Sequence, residues 1–169
     1  MFSANFFLSL LAALMISSVS HAERSETVNS EVLLTVSGNF AVKNFKRVAE
    51  FDRPMLKRMR RVEFETSTMW TEGVKVFSGV PLIDVLQAIG TDEGTTVIAK
   101  AMDGHEVQIP ISSLTEAAPI IAYEIDGNEL SVRKKGPLWV VYPYDSEDSF
   151  QTAVIYSRSI WQLDRLFIK

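Results

Sequence analysis

The stretch RVEFETSTMW, residues 61–70, alternates like a strand and then ends in three neighbouring hydroxyls, Thr66, Ser67 and Thr68, followed by Trp70. Small polar side chains at a strand end are material for a site, because the ending strand turns them toward a loop-lined mouth. What they can do depends on their company. The chain holds no cysteine, so no thiolate is available as nucleophile, redox centre or soft metal ligand. It holds two histidines, His21 and His105. A zinc site, or a Ser-His or Cys-His catalytic pair, has almost nothing to draw on.

Charge supplies the other candidates. Lys57, Arg58, Arg60 and Arg61 precede the alternating strand, and Arg133, Lys134 and Lys135 form a second basic run. Guanidinium groups suit phosphate or carboxylate, which they meet in a forked geometry. The bland alternative for each run is a solvated face. Trp70 and Tyr144 are placed equally well to wall a pocket or to join the core, whereas Trp139 and Trp161 read as core. DSEDS, residues 145–149, has carboxylates but lacks the alternation and glycine of a calcium loop, so it reads as solvated. Glu63 and Glu65, two apart on a strand, share a face and read as facing water.

The elements that must position these groups follow from patterning. Residues 1–22 read as a secretory signal peptide: a continuous apolar run from Phe6 to Val19, then Ser20-His21-Ala22. The run is too short to cross a bilayer, which takes about 20 residues, so no transmembrane span is expected after its removal. Residues 23–30 read as a polar linker, and 31–169 as one domain. A net charge of −4 gives no footprint for nucleic acid.

Within the domain, Val32, Leu34 and Val36 alternate up to Gly38. Asp52 and Pro54 mark the start of a short helix, PMLKRMRR. GVPLIDVLQAIG, residues 79–90, has a helical apolar stripe closed by Gly90. Asp103-Gly104 and Asp126-Gly127 predict tight turns between strands. Ser113 and Glu116 are spaced as a capping box. GPLWVVYPYD reads as a buried strand, and the last segment, YSRSIWQLDRLFIK, as strand. The sum is an α+β, sheet-dominated mixed fold with a few short helices.

The order of these pieces resembles the molybdopterin-binding domain of the sulfite oxidase family over nearly the whole chain after the leader. LTVSG resembles that family's opening strand, and RVEFET the strand leading to its metal centre. FSGVPLIDVLQAIG, DGHEVQIPIS and IIAYEIDGNELSVRKKGPLWVVYP resemble later segments in the same order.

The resemblance implies an oxidoreductase domain holding molybdenum through pterin sulfurs and one protein cysteine. That cysteine belongs at the end of the 61–68 strand, where this chain has Thr66, Ser67 and Thr68. A hydroxyl gives up its proton far less readily than a thiol, although serine can ligate molybdenum. Family members loaded before export carry a twin-arginine leader, and this leader has no arginine. The family's "S-V-K-W" lysine, near the pterin phosphate, is replaced by Ile160 in RSIW, leaving Arg158 as the neighbouring cation.

The expectation is therefore a small exported, periplasmic or secreted, member that lacks the ligand cysteine. It should act as a non-redox binding or interaction module, with molybdopterin held open as a cofactor by resemblance alone. The alternative is a molybdopterin-dependent oxidoreductase with an atypical or missing protein ligand. Thr66, Ser67, Thr68, Trp70, Arg61 and Arg158 are the candidate cleft residues, with no catalytic residue named and no metal ligand expected. The expected partner is a small anionic ligand or a periplasmic or membrane protein.

Overall fold

The computed structural model describes residues 31–38, 48–91 and 95–169. The expected signal peptide and linker lie outside the described residues.

In chain order the strands are β1 (Val32–Gly38), β2 (Val48–Asp52), β3 (Val62–Ser67), β4 (Val74–Pro81), β5 (Thr96–Ala101), β6 (Glu106–Pro110), β7 (Ile120–Ile125), β8 (Asn128–Glu129), β9 (Trp139–Val141), β10 (Ile160–Trp161) and β11 (Leu163–Ile168). The helices are α1 (Arg53–Arg58), α2 (Leu82–Ala88) and α3 (Ala153–Ser157). One sheet runs β2-β1-β11-β5-β6, and the other runs β10-β9-β7-β4-β3 with β8 added beside β7. Pairing is antiparallel throughout except between β1 and β11. This is the sheet-dominated α+β fold expected.

Alternation builds the core. Leu34 and Val36 of β1 are fully buried, as are Val97 of β5 and Leu166 and Ile168 of β11. From the second sheet Phe77, Ile120, Ile121 and Trp139 join the same core, and α2 adds Leu82 and Val85. Asp52 caps α1, its carboxylate accepting from Met55 N at 2.7 Å, as the sequence predicts. Asp126 and Gly127 both take positive φ, 50° and 72°, as a two-residue hairpin turn requires.

Four expectations need correction. Gly79, Val80 and Pro81 are the end of β4, not the start of a helix, and α2 begins only at Leu82. A Cβ on Gly79 would lie 2.1 Å from the Ile121 carbonyl oxygen, so the glycine serves close strand contact. No capping box forms at Ser113; its hydroxyl donates back to Pro110 O at 2.7 Å and a short 3₁₀ turn ends there. The α1 helix closes at Arg58, short of Arg61. The terminal segment is not all strand: Thr152 caps α3, and Arg158 ends it.

Candidate functional site

The hydroxyls at the end of β3 are all engaged locally. Thr66 is fully buried. Its Oγ1 accepts from Asp145 N at 3.1 Å and donates to Ser67 O at 3.2 Å. Ser67 donates twice to the Asp145 carboxylate, from N at 2.5 Å and from Oγ at 2.9 Å. These bonds, the backbone one foremost, hold the Asp145 carboxyl below its usual range. Thr68 Oγ1 accepts from Trp70 N at 3.1 Å and shares a hydrogen bond with Thr71 Oγ1 at 2.8 Å. The cluster thus closes the turn after β3 and ties it to the segment after β9.

Trp70 stands inside an aromatic group. Its ring centroid lies 5.7 Å from Trp161, 6.1 Å from Trp139 and 6.2 Å from both Tyr144 and Tyr156, edge-on in each case. Tyr144 is buried, stacks on Tyr156 at 4.8 Å and shares a hydrogen bond with Ser159. Burial pushes its phenol up to about 12. The open question over Tyr144 resolves to core. Trp139 is core as expected, and Trp161 is half-buried within the same group.

The two basic runs have different fates. In the first, Lys57, Arg60 and Arg61 are engaged by carboxylates, most of them remote in sequence. Arg60 forks onto Asp84 with two bonds of 2.9 Å and also donates to Glu116 O. Lys57 meets Glu124 at 3.0 Å and Glu129 at 2.8 Å. Arg61 meets Glu124 at 2.8 Å, Glu63 at 2.9 Å and Ser78 Oγ at 2.8 Å. Glu63 is exposed, as expected, and also accepts from Arg61 and from Ser78 Oγ. Glu124 is only 10 % exposed at its side chain. Burial pushes its carboxyl up, but the bonds from Lys57 and Arg61 outweigh this and hold it below the usual range.

Arg61 and Ser67 flank opposite ends of β3, about 20 Å apart at ~3.3 Å per residue. The fold does not bring these two candidates together. Arg158, ending α3, reaches Ser113 Oγ at 3.5 Å. It also lies by the buried Tyr142 phenol, which burial raises and the positive charge of Arg158 partly restores.

The second run lines a cleft of about 730 Å³. Thr71 and Lys75 line it from the β3–β4 hairpin, Asp126 and Glu129 from the β7–β8 hairpin, and Arg133, Lys134 and Lys135 from the segment before β9. Among the described residues Arg133 and Lys134 have no ion pair, whereas Lys75 is paired with Asp126 at 3.0 Å. Lys135 is held at φ 67°, a left-handed conformation uncommon for lysine. Gln162 fixes that turn, donating its backbone N–H to Lys135 O and its side-chain amide to Val132 O, both at 3.0 Å. The Lys135 ammonium thereby lies 4.7 Å from the Trp161 ring centroid and 5.9 Å from that of Trp139. Trp139 also lines the cleft, and its buried indole N–H has no hydrogen-bond partner.

Sequence reasoning named this run but missed Lys75, Thr71 and Trp139 as cleft residues, and missed Asp145 as the partner of Ser67. Nothing in the local pattern pairs positions 67 and 145. His105 is exposed at the β5–β6 turn. Among the described residues no group of three His, Cys, Asp or Glu side chains is arranged to hold a metal.

Residues 27–145 match the family model of the oxidoreductase molybdopterin binding domain. The chain belongs to this family. Its fold is similar to the crystal structure of the sulfane dehydrogenase SoxCD from Paracoccus pantotrophus, with a TM-score of 0.59 at 18% identity. The similarity covers 80% of this chain and 37% of that one, so this chain spans little more than a third of that protein's chain. No curated protein matches the sequence.

Proposed function

We propose that this family member is an exported binding module that performs no redox chemistry, and that the cleft beside Arg133–Lys135 takes an anionic ligand. The observation that carries the reading is the donor set at the end of β3. Resemblance assigns the family's metal ligand to Thr66, Ser67 or Thr68, and each of these hydroxyls is already hydrogen-bonded within the fold, that of Ser67 to a carboxylate. No thiolate exists anywhere in the chain. These residues do not fit a molybdenum centre of the family type, since a carboxylate-bound hydroxyl is a hard, protonated and occupied group.

The cleft supports the binding half of the reading. Arg133 and Lys134 offer charge not already neutralised by the fold, and the chain elsewhere is acidic, with a sequence pI of about 5.2. The leader-like residues 1–22 support export. Among the described residues no helix is long and apolar enough to cross a membrane.

Family membership favours the competing reading, a molybdopterin-dependent oxidoreductase with an atypical metal ligand. Elemental analysis of protein purified from its native source separates the two. The expected result is protein without stoichiometric molybdenum, stabilised by phosphate or sulfite in thermal-shift titrations. One molybdenum per chain would overturn the proposal.

A further inference from the structure

The cleft is larger, more polar and differently bordered than a receptor for a compact oxyanion needs to be. An oxyanion of about five heavy atoms takes the space of two or three waters, each ~30 Å³. It would fill only about a tenth of the 730 Å³. Small-molecule pockets are lined predominantly by apolar groups, whereas this cleft presents Lys75, Asp126, Glu129, Arg133, Lys134 and Lys135. Of its cations, Lys75 is already paired with Asp126 and Lys135 lies over Trp161 and Trp139, which leaves Arg133 and Lys134 as the charge open to a ligand.

The rim adds an independent observation. Met69 and Val132 are 67% and 49% exposed. Both lie within two residues of a cleft-lining position in the chain: Met69 before Thr71, and Val132 between Ser131 and Arg133. Exposed apolar side chains beside an arginine-bearing surface are the composition of a protein interface rather than of a small-ion site. The deep element is Trp139, fully buried yet bordering the cleft with an unpartnered N–H.

Resting on the anion-binding reading of this cleft, we propose that its occupant is an acidic segment of a partner protein. The segment's carboxylates would meet Arg133 and Lys134, and its apolar side chains would cover Met69 and Val132. Charge complementarity gives the sign of the partner: with four cations against two carboxylates, and Arg133 and Lys134 in no ion pair among the described residues, the cleft of this acidic chain steers acidic segments to it.

The test uses the full chain in cells of its source organism, with a photo-crosslinking benzoyl-phenylalanine placed at Val132. The same group at Met102, exposed on the β5–β6 turn, serves as control. The expected result is an adduct at Val132 and not at Met102, mapping to a peptide of net negative charge. That peptide, made synthetically, should bind the purified protein in fluorescence anisotropy. The Arg133→Glu/Lys134→Glu variant should weaken it at least tenfold, and a peptide with its acidic residues changed to lysine should restore binding to that variant. No specific adduct, a neutral or basic adduct, or binding indifferent to the reversal overturns the inference. If phosphate or sulfite still stabilises the protein through Arg133 and Lys134 while no segment is captured, the small-anion reading stands and this one falls. If neither binds, both fall.

Discussion

Replacing Lys57 and Arg61 together with methionine tests whether the first basic run is structural. Both cations point at Glu124, whose side chain is 10% exposed. Methionine keeps most of the side-chain bulk and removes the charge. Stripping both partners leaves a carboxylate in a poorly hydrated place, and breaking a buried pair costs about 3–5 kcal/mol. Here Lys57 and Arg61 are 38% and 45% exposed, so water already screens part of their attraction. A loss of about 2 kcal/mol is the discounted expectation. At about 2–4 °C per kcal/mol for a domain of this size, that is a fall in Tm of about 4–8 °C.

The pH dependence gives the sharper readout. In the wild type the Glu124 carboxyl is held below its ordinary value of 4.5, so its contribution is complete above 4.5 and lost as pH falls through the depressed value. In the variant only burial acts, and the folded value moves above 4.5. The variant's penalty is then relieved as pH falls through that raised value. Urea denaturation between pH 7 and 5 should find the variant gaining stability while the wild type stays level. Parallel curves, or a variant as stable as the wild type at pH 7, would refute the assignment. They would also return Arg61 to the list of groups available for a ligand.

Two further outcomes follow from the site. Asp145→Ala removes both acceptors of Ser67 at an exposed position, and should cost about 1 kcal/mol at pH 7. That penalty should fade below the ordinary value of 3.8, as the wild-type carboxyl protonates through its depressed value; a penalty unchanged in acid would reject the ionised clamp. Trp70→Leu breaks edge contacts with four rings and should cost about 2–3 kcal/mol, with loss of near-ultraviolet circular dichroism. An unaltered spectrum would mean that the ring is not packed.

Local rules carried the sequence reading where the determining groups are near in the chain. Alternation found the strands, Asp52 found α1, and two Asp-Gly pairs found their hairpin turns. Where two local readings were equally good, tertiary contact decided. Pro81 suits a helix start, but it equally suits a last strand residue, and the pairing of Gly79 with Ala122 drew 79–81 into β4. Ser113 and Glu116 have capping-box spacing, yet the Ser113 hydroxyl found the Pro110 carbonyl first. The five-residue α3 is too short for a helical period to register. The fate of the basic runs was not legible at all. The carboxylates that consume Lys57, Arg60 and Arg61 include Asp84, Glu124 and Glu129, which are 24 to 72 residues away.

Charge is also partitioned across the aromatic group, and this bears on where an anion can go. On one side the ionised Asp145 sits against Ser67. On the other, Lys135 lies over Trp161 and Trp139, with Arg133 and Lys134 beyond it on the cleft wall. Trp70 packs between the two regions, touching Tyr144 and Trp139. An approaching anion is repelled from the Ser67 end and attracted to the cleft, each unit charge at ~10 Å contributing about 0.4 kcal/mol in water. Such increments are screened over a Debye length of about 8 Å at physiological salt, so they orient rather than hold a ligand. Affinity then has to come from close contact with Arg133 and Lys134 and from covering the apolar rim. On this reading binding keeps a salt-independent component after the electrostatic part is screened away, and a titration in which 0.5 M salt abolishes all of it would place the recognition in charge alone.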